Sequence, residues 1–268
     1  MVSGFCTKVI SRSSIGVPPR SALFNKRMAE EMNDPVAHAK SYPFPVPGRS
    51  YTFCDGRVTD MPDEGFDSTG RRPVLAAGSN QSHEQLARKF YRISGNVEIP
   101  VQKGRLHDFD SVYAAHLAGY GSVPSTFYPS PGTVVTTYLL WLNDAQLNRM
   151  HETERNYTYD HLNEIRVEID GLGELLREAY AYTAKIGCVN HAGTPIALSE
   201  ISACERAFSS MSQLEVLEHI RDRIAPNEDL DTFILSQIED EGVRRARSAI
   251  LSEDAIVGNY PRTVIREL

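Results

Sequence analysis

Met150-His151-Glu152-Thr153-Glu154 places an imidazole and two carboxylates in one short stretch. These are the side chains best suited to moving protons near neutral pH. Three readings of the stretch compete. A metal centre needs more ligands at fixed spacing; HExxH is absent because position 155 is Arg, and His161 and His191 would join only through folding. A solvated acidic helix end is the plain reading, since charges usually face water. A single catalytic carboxylate is the third. For that role Glu154 follows Met150 by four and shares its apolar face, whereas Glu152 lies about 160° away and points to solvent.

Gly78-Ser79-Asn80 is the second candidate. It breaks the apolar run Val74-Leu75-Ala76-Ala77 and precedes a helix that Ser82 caps, with Gln85 as the capping-box partner. A strand that turns into a helix in this way exposes backbone N–H groups, and the helix N-terminus favours an anion. Glycine lets a ligand approach the backbone. An ordinary strand-to-helix turn would read the same way. The turn is neither a dinucleotide fingerprint nor a P-loop, since GxGxxG is absent and no Gly-Lys-Ser/Thr follows.

The elements that must position these residues follow from patterning. Residues 1–72 are punctuated by Pro18, Pro19, Pro35, Pro43, Pro45, Pro47 and Gly48, and read as an arm laid on a core. Within it, a short helix is expected at about Asn25–Lys40, and a strand at residues 50–54 before the Asp55-Gly56 turn. Residues 73–200 read as the core. Strands are expected at 74–77, 109–117, 134–142, 164–169 and 179–186, with a long turn-rich loop at 119–132 and a helix from Asn143. Residues 201–268 read as a helical extension packed on the core, helical already from Ser199, with Ile201, Cys204 and Phe208 on one face. Further helices are expected at 230–241 and 242–250. The order is α+β and not alternating βαβ.

Composition narrows the function classes. A chain of 268 residues with 41% hydrophobic content can bury a sizeable core. The net charge of −7 and the lack of a long basic run argue against nucleic acid; Arg244-Arg245-Ala246-Arg247 reads as a solvated helix face. No apolar stretch is long enough for a membrane span. Cys6, Cys54, Cys188 and Cys204 form no CxxC pair and fit no zinc spacing, so free thiols in a reducing compartment are expected. The first 29 residues hold no acid but include Lys8, Arg12, Arg20, Lys26 and Arg27. Residues 1–27 are therefore read as an organelle-targeting segment, a tail, or sequence upstream of a start at Met28.

The two candidate segments together resemble the γ-glutamylcyclotransferase-like family. Ala77-Gly78-Ser79-Asn80 followed by Gln85-Leu86 is similar to that family's opening motif. Residues 126–135 look like its proline-rich link and the strand after it, and Met150–Glu154 looks like its glutamate-bearing helix end. The resemblance covers about residues 73–200. It implies a mixed β-barrel with flanking helices and a cytoplasmic enzyme without metal or other cofactor. The implied site has Glu154 as acid/base, and Ala77, Gly78, Ser79, Asn80 and Tyr157 around the substrate. The implied reaction cyclises a γ-glutamyl amide to 5-oxoproline and a free amine. The expected partner is a small molecule, with no nucleic acid and no membrane, and a homodimer is the candidate assembly. The family's tyrosine before Gly-Ser-Asn is Ala77 here. That departure keeps two alternatives open: another amide or ureide reaction on the same scaffold, and a non-catalytic accessory module.

Overall fold

A computed structural model describes residues 34–62, 65–91, 93, 97–173 and 175–268. Residues 1–27, and most of the helix expected at 25–40, lie outside the described residues. The described part of that helix is α1 (Pro35–Lys40), capped by the Asp34 carboxylate on the Ala37 amide. Strands β1 (Tyr51–Cys54) and β2 (Arg57–Thr59) form a hairpin across the expected Asp55-Gly56 turn, where both residues adopt positive φ.

The centre is a closed ring. Strand β3 (Arg72–Ala76) pairs antiparallel with β5 (Ser125–Leu142), which pairs antiparallel with β4 (Glu98–Tyr113). Strand β4 pairs with β6 (Tyr157–Ile169), β6 with β7 (Leu175–Ala184), and β7 returns to β3 as a parallel neighbour. Five strands thus make a mixed α+β barrel, and closure removes the free edges such a sheet would otherwise carry. Both faces of the barrel wall are covered. Leu75, Leu106, Leu139, Leu162, Val167 and Ala181, from all of these strands, join one packed cluster. Val74, Ala76, Leu140 and Leu142 join another with Leu86, Phe90, Leu147 and Met150. Those last four belong to helices α2 (His83–Phe90) and α3 (Asp144–Thr153). Burial on both faces explains why β3 reads as an unbroken apolar run.

Three sequence expectations needed correction in these strands. Residues 125–132, read as loop, continue β5 through Pro129 and Pro131. The strand itself bulges there: residues 130–133 lie between its pairs with Phe109 and His107, against Asp108 alone on β4, whose φ is 62° and whose carboxylate accepts from the Gly132 amide at 2.9 Å. A bulge is where a strand tolerates proline. Strand β4 likewise begins eleven residues before the expected 109, at Glu98, and β6 seven before the expected 164, at Tyr157. In β6 a bulge with Glu164 at φ 62° masks the alternation.

The C-terminal region differs more. Residues 199–212 are not helical: the short strands β8 (Asn190–His191), β9 (Thr194–Pro195), β10 (Ala197–Leu198), β11 (Ala203–Cys204) and β12 (Ser210–Met211) occupy the stretch from 190. Strand β11 adds to β5, and the Ser202 and Glu205 carbonyls accept from Thr136 and Thr133. Partners on the barrel therefore replace the helical bonds that periodicity suggested. Helices α4 (Gln213–Ile224), α5 (Leu230–Glu239) and α6 (Glu241–Ser252) follow, and Val216, Leu217, Ile220, Phe233, Ile234 and Leu251 bury their faces in the first cluster. Arg247 is not on a solvated face: it is buried, paired with Glu228 at 2.8 Å, with its guanidinium over the Phe233 ring at 4.1 Å. An unforeseen strand, β13 (Arg262–Glu267), adds to the first half of β6. Cys188 and Cys204 are free thiols, and no helix among the described residues is long and apolar enough to cross a membrane.

Candidate active site

Asn143 starts α3 with a reciprocal capping box: its side chain accepts from the Gln146 amide, and Gln146 accepts from the Asn143 amide. Leu147 and Met150 bury one face of the helix. The helix ends at Glu154, whose φ of −109° has left the helical range. That exit turns the carboxylate inward, where it is 7% exposed. Glu152 stays outside and pairs with Arg149 at 2.5 Å, its side chain 64% exposed. Geometry thus separates the two acids as their spacing from Met150 implied.

The Glu154 carboxylate is held on one oxygen. Oε1 accepts from Asn80 Nδ2 at 2.9 Å and from the buried Lys89 ammonium. Oε2 receives no hydrogen bond from the described residues. Lys89 was missed by sequence reasoning. It lies on α2 among Arg88 and other polar residues and reads as part of a wet helix face. The one signal available was its spacing, three residues after Leu86, on the apolar side of the helix.

The turn between β3 and α2 departs from the expected form. A 3-10 turn over Ser79–Gln81 intervenes, and α2 proper starts at His83. Ser82 caps it through the Glu84 amide at 3.3 Å, one residue short of the Gln85 capping box. Gly78 also has a packing reason to be glycine. A Cβ there would lie 2.0 Å from Tyr42 Oη and 2.1 Å from Ser125 Oγ. Tyr42 belongs to the segment before the barrel. Its hydroxyl bonds Ser125 Oγ at 2.8 Å and accepts from the Ser125 amide at 2.9 Å. Burial pushes its pKa up to about 12. A phenol therefore stands over the turn although the residue before Gly78 is alanine.

These groups line one cavity of about 440 Å³. All six sequence-predicted residues border it: Ala77, Gly78, Ser79, Asn80, Glu154 and Tyr157. Tyr157 gives its proton to the Ser125 carbonyl at 3.1 Å, and burial holds its pKa well above the ordinary value. Tyr182, Tyr120 and His116 add further wall. His116 is 4% exposed, and burial lowers its pKa to about 4, so it is neutral at physiological pH. Among the lining residues are Arg88, Lys89, Arg149 and Arg155 against Glu152 and Glu154, so the wall carries an excess of positive charge. Among the described residues no three His, Cys, Asp or Glu side chains gather as a metal site would require. His161 pairs instead with Glu178 at 3.2 Å, and His191 packs on His219.

No family model matches the chain, and no curated protein matches it. Solved structures do. They include a solution structure from Arabidopsis thaliana, 18% identical over 44% of this chain and 72% of that one, with a TM-score of 0.34. An uncharacterised protein from Homo sapiens is 14% identical over 74% and 95%, with a TM-score of 0.36. A γ-glutamyl cyclotransferase is 14% identical over 74% and 95%, with a TM-score of 0.35.

Proposed function

We propose that the chain is a cyclotransferase acting on a γ-glutamyl amide or a related small amide, with Glu154 shuttling protons. The observation that carries this reading is the asymmetry at Glu154. One oxygen is anchored by Asn80 and Lys89, and the other has no partner among the described residues that border the cavity. A carboxylate held in this way keeps its position while one oxygen stays available for proton transfer.

The chemistry sets what the site must do. The substrate's α-ammonium loses two protons as its nitrogen becomes the ring amide, and the departing nitrogen gains two as it leaves as an ammonium. A single carboxylate that cycles twice between base and acid balances the reaction. The attacking nitrogen must also be folded onto the γ-carbonyl, which a closed wall of tyrosines favours by restricting the bound conformation. The positive excess of the wall suits the substrate's carboxylate, for which the Gly78–Asn80 turn and Arg149 are the candidate contacts. Tyr42 supplies a ring beside the turn where Ala77 has none.

The test is release of 5-oxoproline from a panel of γ-glutamyl amines, γ-glutamyl dipeptides and glutathione. Turnover of at least one is expected, unchanged after dialysis against a strong chelator. A folded protein that turns over none of them would sink the reading and leave the accessory-module alternative. Loss on chelation with recovery on added zinc would sink the single-carboxylate mechanism.

A further inference from the structure

His151 stands three residues before Glu154, and the proton shuttle leaves it without a task. It is buried, its Nδ1 lies 3.0 Å from the Tyr182 hydroxyl, and its ring meets Tyr159 edge-on at 4.8 Å. Tyr182, on β7, is 6% exposed, borders the cavity and feels the Glu154 charge. The bond between the two could run in either direction. Of the pair the phenol is the stronger acid and the imidazole nitrogen the stronger base. Burial, with Arg266 and Arg72 nearby, outweighs the Glu154 charge and lowers the His151 pKa, which disfavours the charged ring. Tyr182 therefore donates and Nδ1 accepts.

A phenol has one proton. With that proton turned to His151, Tyr182 offers the cavity only lone pairs. Tyr182 and the second Glu154 oxygen thus give that side of the cavity two acceptors, beside the Lys89 and Asn80 donors on the first oxygen, and a ligand group that fits them carries several N–H bonds. We infer that His151 is a positioning residue that fixes Tyr182 as a hydrogen-bond acceptor for a primary ammonium on the ligand. The inference deepens the reading of Glu154 and rests on it, since the α-ammonium that Glu154 deprotonates is the group placed there.

The experiment is binding to the full chain, with 5-oxoproline release from the glutamine probe followed alongside and binding read before any forms. The probes are L-glutamine and glutaramate, which differ by the α-ammonium alone. The wild type is expected to prefer L-glutamine by about tenfold or more, the scale of a hydrogen bond to a charged group. Tyr182→Phe and His151→Leu should each remove most of that preference while leaving glutaramate affinity within about twofold. The double variant should lose no more than either single one, because the two act as one unit. His151→Asn, which keeps an acceptor near the Nδ1 position, should retain the preference. Circular dichroism and denaturant midpoints confirm folding of each variant. Equal weakening of both probes by His151→Leu, losses that multiply in the double variant, or no wild-type preference would each overturn the assignment. Absent 5-oxoproline release would instead count against the cyclotransferase reading, and the two failures are separable.

Discussion

Asp110 on β4 and Glu154 after α3 are both buried acids with a basic partner, but they are held in opposite ways. Asp110 is fully buried, and both of its oxygens are bound: Arg206 Nε meets Oδ2 at 2.9 Å, Arg206 Nη2 meets Oδ1 at 3.1 Å, and the Ser111 amide donates to Oδ1 at 2.8 Å. Burial still raises its pKa against those partners. Arg206 continues to the Ile201 carbonyl at 2.7 Å, so the pair ties the 199–212 segment to the barrel. Glu154 is bound on one oxygen and borders a cavity. Burial of a charge therefore does not by itself mark a functional group in this fold. A saturated carboxylate is a fastening, and one with an unpaired oxygen beside open space is available for chemistry.

The contrast can be broken by substitution. The largest effect is expected from Glu154→Gln, which keeps size and an acceptor for Lys89 but cannot shuttle protons. It should lower kcat by roughly 10²-fold or more, with KM little changed. Steady-state kinetics on one substrate of the panel measures it. Next is Asp110→Ala, which leaves a half-buried Arg206 without its carboxylate and with the Ile201 carbonyl alone. It should cost about 3–5 kcal/mol in denaturant unfolding, while kcat of the folded fraction stays within about twofold. If that variant lost kcat and kept its stability, the division between fastening and chemistry would fail. Gly78→Ala should follow at about 1–3 kcal/mol, because its Cβ must displace the Tyr42 and Ser125 hydroxyls. Loss of ligand binding with the midpoint unchanged would return the glycine to the ligand-access role read from sequence. The smallest effect is expected from Glu152→Gln: its exposed pair with Arg149 is worth about 0–1 kcal/mol, and kcat should not move. If Glu152→Gln were the inactive variant, the asymmetry at Glu154 would have no catalytic meaning.

Local physics made part of this legible. The helix start at Asn143, the apolar spacing of Leu147 and Met150, and the break at Gly78 are each written within a few residues, although the Ser82–Gln85 capping box gives way to a bond from the Glu84 amide. The split between Glu152 and Glu154 was legible from helix geometry, and the turn out of the helix at Glu154 completes it. What could not be read depends on residues far apart in sequence. Pro129 and Pro131 look like a loop until the bulge at 130–133, set against Asp108 on the other strand, accommodates them. Ile201, Cys204 and Phe208 have helical spacing, yet barrel partners take the backbone bonds that a helix would need. Lys89 reads as a surface charge until α3 brings Glu154 beside it. Tyr42 gives no local hint that it will stand over a turn 36 positions later in the chain.

That last contact has a consequence for engineering. The space next to Gly78 is filled by a phenol from outside the ring of strands, and the same segment is fastened twice more, by Ser82 Oγ on the Pro45 carbonyl and Tyr138 Oη on the Pro47 carbonyl. A barrel excised from residue 73 would keep every strand of the ring but open a slot beside the turn and free the Ser125 hydroxyl. Transplanting the pocket to another scaffold therefore means carrying residues 41–47 with it, as a separate strap that could be varied to reshape the chamber while the ring is left untouched.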